Sequence, residues 1–300
     1  MANELDFMIV GSAKSGTTSL YYYLQQVEGI FMPENKEPHY YLGEFKHGYD
    51  NGVGDKEIIK SMYVTSKKNY NSLFVKAKKS EKIGEASATY LYDRESAKLI
   101  KEDNPNCKII IMLRNPALRA FSAYSHMRRD YRENVNDFYD AINEEELRVE
   151  NKWMPIWHYK RMGFYYEQVK LYMETFGREN VHVIIFEDFI KDIDASVSEV
   201  LYFLGVDANF SIKKDKTNES NMPKSKFIHL FIKRPNIIKS VIKPFIPQSL
   251  RKKIIKYFNG VNKGGKLKIC KSDEVKLKSI YKKDIENLEI LLEKKIQQWH

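Results

Sequence analysis

Only two of the 300 residues are cysteine, Cys107 and Cys270, so a disulfide framework is excluded. Cys107 opens an apolar run that reads as a buried strand, which argues against even one structural bridge. The count fits a reducing compartment. No His/Cys cluster has the spacing of metal ligands, and no metal is expected. No apolar run reaches the length of a membrane span. The N-terminus passes into Phe7 to Val10 without a basic segment and a cleavable apolar stretch, so no signal peptide is expected and the location reads as cytoplasmic. Internal repeats and low-complexity linkers are missing too, and one domain over residues 1–300 is the expectation.

Acidic residues are the minority charge. Fifty Lys and Arg face 40 Asp and Glu, a net charge of +10. That favours an anionic partner: a cofactor, an acidic glycan, nucleic acid or a membrane surface. Plain solubility charge accounts for most of the lysines. No recognised nucleic-acid motif is visible, and no nucleic-acid partner is expected. Aromatic residues are plentiful, 20 Tyr and 16 Phe, enough to build a sizeable core.

The most informative stretch is LDFMIVGSAKSGTTSLYYYL, Leu5 to Leu24. A short apolar strand, Phe7 to Val10, breaks into a small-residue loop from Gly11 to Gly16. Thr17 and Thr18 then open an amphipathic helix. Strand, glycine loop and helix N-terminus make a phosphate cradle, with free N–H groups and the helix dipole aimed at the anion. The G-x-x-x-x-G spacing of a P-loop is present, but the lysine that should follow it is Thr17. The loop's one lysine, Lys14, lies inside it. Such a loop suits an anion and is badly drawn for ATP with magnesium.

Further along, Pro33 to Tyr41 is a proline-bracketed loop carrying Lys36, Glu37 and His39 between aromatics. It reads as a surface turn or as an acid/base pair at a site mouth, with Glu34 facing solvent. Lys56 to Lys79 reads as an exposed helix pair. A short strand from Lys82 leaves a second small-residue loop, and Asp93 to Glu102 is helical. Ile109 to Leu113 is an unbroken apolar strand of the parallel-sheet type, with Arg114 at its carboxyl end and Asn115-Pro116 opening a helix. Ser122 lies two turns further on, so Arg114 and Ser122 can converge on one anion. Equally, Arg114 can pair with a structural carboxylate.

Asp137 to Lys152 and Tyr165 to Phe176 read as helices, and Asn180 to Phe186 as a buried strand. Glu187-Asp188 after it is a Walker B candidate, or Asp188 N-caps the next helix. Residues 205–226 read as a long loop. The Ile, Phe, Lys and Pro mixture at 227–247 fits a basic membrane-surface patch, or short core helices broken by Pro235 and Pro244. Lys263, Gly264 and Gly265 form a third glycine-containing basic loop. A last helix, 272–297, has Ser272 as its N-cap and Ile285, Leu288, Leu292 and Ile296 as its buried stripe.

Taken in order, these segments resemble the PAPS-dependent sulfotransferases, in the branch of the heparan sulfate enzymes and their bacterial relatives. PAPS is 3′-phosphoadenosine 5′-phosphosulfate, and PAP is the nucleotide it leaves. The resemblance implies an α/β domain with a central parallel sheet flanked by helices and a P-loop-like phosphosulfate site. Ala13, Lys14, Ser15, Gly16, Thr17 and Thr18 would form the 5′-phosphosulfate loop. Arg114 and Ser122 would hold the 3′-phosphate, and Lys263, Gly264 and Gly265 would close over the nucleotide. Glu37 in the K-E-P-H-Y-Y segment would be the base, with Lys36 and His39 beside it. Ser87 and Tyr90 would lie on the substrate side. The acceptor would bear a hydroxyl, a glycan being one candidate. A membrane anchor and a disulfide near the C-terminal loop, which the Golgi members carry, are absent. From the residues alone, a P-loop kinase or NTPase and a non-catalytic binder of acidic glycan remain open.

Overall fold

The computed structural model describes residues 4–207, 210–213, 221–223, 225 and 263–300. Five parallel strands form the central sheet: β1 Phe7–Gly11, β2 Ile30–Phe31, β3 Lys82–Ala86, β4 Lys108–Leu113 and β5 Val181–Ile185, in the order β2-β3-β1-β4-β5. Both faces are covered, which explains why the strands are apolar runs rather than alternating ones. Phe7 and Ile9 of β1, with Ile110 and Met112 of β4, pack on α1 (Thr17–Leu24), α9 (Phe186–Lys191) and α10 (Ile193–Leu204). Met8, Val10, Ile109 and Ile111 face the other layer, built from α4 (Ser96–Asp103), α5 (Pro116–Arg129), α8 (Tyr166–Phe176) and α11 (Lys271–Leu292). β1 and β3 approach closely: a Cβ on Gly84 would lie 2.2 Å from the Phe7 ring.

The chain leaves β1 toward one edge of the sheet and leaves β4 toward the other. The crevice between their carboxyl ends is therefore a topological switch point, where open α/β sheets bind ligands. The glycine loop and Arg114 both sit at this crevice.

Several sequence expectations change in detail. Residues 56–79 carry the expected pair of helices, α2 (Asp55–Met62) and α3 (Lys67–Ser72). The acidic stretch 137–152 is likewise two short helices, α6 (Phe138–Asn143) and α7 (Glu145–Glu150), divided at Glu144. Asp188 does not cap α9, because that helix already begins at Phe186. The carboxylate of Asp188 instead bonds Lys294 and Gln298. The last helix starts at Lys271 with Cys270 at its N-cap, so Ser272 lies inside its first turn. It ends at Leu292, and buried Ile296 packs from the segment beyond. Lys263–Lys266 is not a loop but a strand, β7, paired antiparallel with β6, Asn221–Pro223, inside the stretch expected to be structureless. The segment 227–247 lies outside the described residues. Both cysteines are free, Cys107 buried and Cys270 exposed.

Candidate active site

The phosphate loop is built by its backbone. Gly16 has a φ of +91°, and a Cβ there would meet the Phe186 ring at 2.7 Å, so glycine is required. Ser12 N–H donates to the Met112 carbonyl (2.7 Å), tying the loop to β4, and the Ser12 and Ser15 hydroxyls meet at 2.8 Å. The N–H groups of Ala13, Lys14, Gly16, Thr17 and Thr18 have no hydrogen-bond partner among the described residues. Five donors without a partner thus cluster at the start of α1, an arrangement that fits an anion.

Lys14 is half-buried, in the left-handed region at φ 73°, and its side chain makes no ion pair or hydrogen bond among the described residues. Burial, and then the nearby charge of Arg129, push its pKa down to about 8; Glu37 and Asp130 pull the other way. An unpaired ammonium in that condition gains from an anion that restores its charge.

Arg114 leaves the end of β4. It donates to the Lys14 carbonyl (3.3 Å), and its guanidinium lies 4.8 Å from the centre of the Phe186 ring. It makes no ion pair among the described residues, which disfavours the structural-carboxylate alternative, and its buried Nε has no partner. Burial lowers its pKa, while Glu187 raises it. Ser122 is half-buried in α5, seven residues after the N-cap Asn115, with no hydrogen-bond partner among the described residues. The side chain of Lys263 is not described. β7, which carries Gly264 and Gly265, pairs with β6, and β6 in turn lies against α5.

Glu37 and His39 both adopt positive φ, 62° and 53°. Two non-glycine residues held in this region so close together signal a conformation imposed by surroundings. Those surroundings are β3 and its loop: Glu37 N–H donates to the Ala86 carbonyl (3.0 Å), His39 N–H to Ser87 Oγ (3.1 Å) and Tyr41 N–H to the Tyr90 hydroxyl (3.1 Å). The carboxylate of Glu37 pairs with Lys36 through Oε1 and lies 3.5 Å from His39 Nε2 through Oε2. Burial alone would raise the Glu37 pKa, but Lys36, His39 and Lys14 together bring it below its usual value. Burial holds the His39 pKa down at about 4, so its ring is neutral at pH 7. Its Nδ1 is buried without a partner. Glu34, by contrast, is 92% exposed.

Sequence reasoning missed three groups. At the end of α5, Arg129 bonds Asp130 (3.0 Å) and the ring of His126 (2.5 Å), and this cluster bears on Lys14. Its i, i+3, i+4 spacing was a visible signal. Tyr63, just after α2, packs its ring against that of His39, with centroids 4.6 Å apart and planes tilted by 42°. Glu85, fully buried beneath the Glu37 loop, accepts hydroxyls from Tyr70 (2.8 Å) and Tyr90 (3.1 Å). No group of three His, Cys, Asp or Glu among the described residues is placed to hold a metal ion.

Residues 4–244 match the family described as the sulfotransferase domain. The chain belongs to the sulfotransferases. The sulfotransferase of Alicyclobacillus acidocaldarius has a similar structure: TM-score 0.78, 30% identity, 99% of each chain covered. The membrane-associated sulfotransferase kil1 of Dictyostelium discoideum is 33% identical over 119 residues, 40% of this chain and 22% of that protein. A human bifunctional heparan sulfate N-deacetylase/N-sulfotransferase 3 is 25% identical over 224 residues, 72% of this chain and 24% of that one. The chain therefore spans about a quarter of these two relatives. Within this fold, the glycine loop, Arg114 and the Glu37 loop lie around one crevice. No helix among the described residues is long and apolar enough to cross a membrane.

Proposed function

We propose that the protein transfers the sulfuryl group of PAPS to an acceptor hydroxyl. The observation that carries this reading is the arrangement at the switch point. Free amides and an unpaired Lys14 form one anion site, Arg114 forms a second one touching the same loop, and a carboxylate, Glu37, lies within the electrostatic reach of Lys14. One anion site would serve any phosphate; two sites beside a base fit a nucleotide with separate 5′ and 3′ groups.

PAPS, when bound, supplies the sulfuryl group. In the transfer, the bond from sulfur to the phosphate oxygen breaks as the bond from sulfur to the acceptor oxygen forms. The amides of Ala13 to Thr18, with Ser15, would hold the 5′ end. Lys14 would neutralise the charge that grows on the leaving phosphate. Glu37 takes the acceptor proton, and Lys36 and His39 hold its carboxylate in place. Arg114 and Ser122 would hold the 3′-phosphate, and β7, with Lys263, Gly264 and Gly265, would close over the nucleotide. Ser87 and Tyr90 shape the acceptor side through the Glu37 loop. No metal is assigned a role, because these donors balance the charge.

We take the acceptor to be a glycan hydroxyl, following the human relatives named carbohydrate sulfotransferase 15 and heparan sulfate glucosamine 3-O-sulfotransferase 6. The two unpaired cysteines support a cytoplasmic placement. A kinase reading has lost its main support, since Asp188 is tied to Lys294 and Gln298 on the surface. The test is transfer of label from PAPS to a panel of glycan and small hydroxyl acceptors. Label should move to an acceptor with wild-type protein and not with Glu37→Gln; transfer by both at equal rates would remove Glu37 from the chemistry.

A further inference from the structure

Glu187 ends an apolar strand like a Walker-type acid, yet neither metal chemistry nor helix capping absorbs it. Its two carboxylate oxygens reach two distant parts of the chain. Oε1 accepts the backbone N–H of Asn115 (3.0 Å), and Oε2 accepts the indole N–H of Trp299 (3.0 Å). Asn115 is the residue after Arg114 and the N-cap of α5, its side chain accepting from the N–H groups of Ala117 and Leu118. On the other side of the same peptide unit, the Arg114 carbonyl accepts the hydroxyl of Tyr165 (2.9 Å), whose ring lies 5.8 Å from that of Trp299. Phe186, the residue before Glu187, supports the guanidinium face. Trp299 is buried and held in turn. Glu289 accepts the Ile296 N–H (2.7 Å) and pairs with His300 (2.8 Å) and Lys295 (2.9 Å), fixing the segment that delivers the indole.

The main chain at Arg114 is thus clamped from both directions, while the guanidinium keeps a buried, unpartnered Nε. The clamp fixes the root from which the Arg114 side chain leaves, while the Phe186 ring and the Lys14 carbonyl hold the guanidinium, so less freedom is left to lose on gripping an anion. We propose that Glu187 and Trp299 are positioning residues that aim Arg114 at the 3′-phosphate of the nucleotide. This rests on the reading of Arg114 given above. Neither residue needs to touch the ligand. Their effect falls mainly on the 3′ end, because Glu187 and Trp299 bond the Arg114–Asn115 side of the crevice and make no hydrogen bond to the loop amides that face the 5′ end.

The test is calorimetric titration of the whole chain with PAP and with adenosine 5′-phosphate (AMP). Wild type, Glu187→Ala, Trp299→Phe and the double variant are compared, with thermal melts alongside. Trp299→Phe keeps an aromatic ring, removes the N–H and gives up part of the indole's buried volume, a packing loss that the melts register. The preference for PAP over AMP should fall about tenfold in Glu187→Ala, the scale of a hydrogen bond to a charged group, and by roughly threefold in Trp299→Phe. AMP affinity should stay within about twofold of wild type. The double variant should be no worse than Glu187→Ala, because one contact is shared. Equal weakening of both nucleotides would show a merely structural role and overturn the proposal. So would an unchanged preference in both variants when wild type discriminates. If Glu187→Ala does not fold, Trp299→Phe decides alone. A wild type with no preference would instead overturn the assignment of Arg114.

Discussion

At the scale of single residues, the site is defined by charges left without partners. Among the described residues, Lys14 has no ion pair and Arg114 keeps an unbonded Nε, both in partly buried positions. Unpaired buried polar groups are costly, so they point to a ligand that completes them. For Lys14→Ala, turnover should fall by about a hundredfold or more, while PAP affinity falls far less, because its charge matters most as the leaving oxygen becomes anionic. Steady-state kinetics with a PAP titration check this; near wild-type turnover would contradict it. For the base, geometry separates two candidates that the sequence could only juxtapose. His39 turns Nε2 toward Glu37 and buries Nδ1, so neither nitrogen is free for an acceptor. Glu37→Gln should abolish most transfer with little change in melting temperature, and His39→Ala should be the milder change. The reverse order in single-turnover rates would make the histidine the base.

At the scale of elements, the strand-loop-helix at the start was legible because a glycine loop after an apolar run has few other uses. Arg114 was legible as a strand-end cation, but its lack of an ion pair among the described residues was not, since that depends on where Glu187 spends its oxygens. The cluster of His126, Arg129 and Asp130 went unread because sequence gives the face of a helix without telling what that face meets. The strand at Lys263–Lys266 was missed because glycine-rich, basic composition imitates a loop, and its partner strand lies in a stretch with no hydrophobic period. Glu85 was invisible as an ionisable group for a similar reason: only the fold shows a carboxylate under Tyr70 and Tyr90. Burial pushes its pKa up to about 7, against an ordinary value of 4.5. The unfolded chain therefore ionises Glu85 first. Its contribution to stability is full below about pH 4.5 and is lost as pH rises through 7. Denaturant melts should show wild type losing stability between pH 5 and pH 8 by an amount that Glu85→Gln removes, on the order of 3 kcal/mol at most. Parallel pH profiles for the two proteins would refute the shift.

At the scale of the whole molecule, the architecture follows from a few apolar strands that can only be buried on both faces, and this much was readable from Phe7 to Val10, Ile109 to Leu113 and Val181 to Ile185. Strand order was not readable, and it is strand order that brings residues 11–18, 36–39 and 114 to one crevice. The positive net charge fits an anionic ligand, but charge alone does not distinguish a sulfotransferase from a passive binder. What would distinguish them is the second anion site proposed at Arg114, which touches the glycine loop through the Lys14 carbonyl. The most direct test of that claim is calorimetry of the intact protein with PAP, AMP and ATP, with and without magnesium. PAP should bind without magnesium and more tightly than AMP, by on the order of thirtyfold, equivalent to about 2 kcal/mol. Equal affinities for PAP and AMP, or tight binding of ATP only with magnesium, would contradict the account.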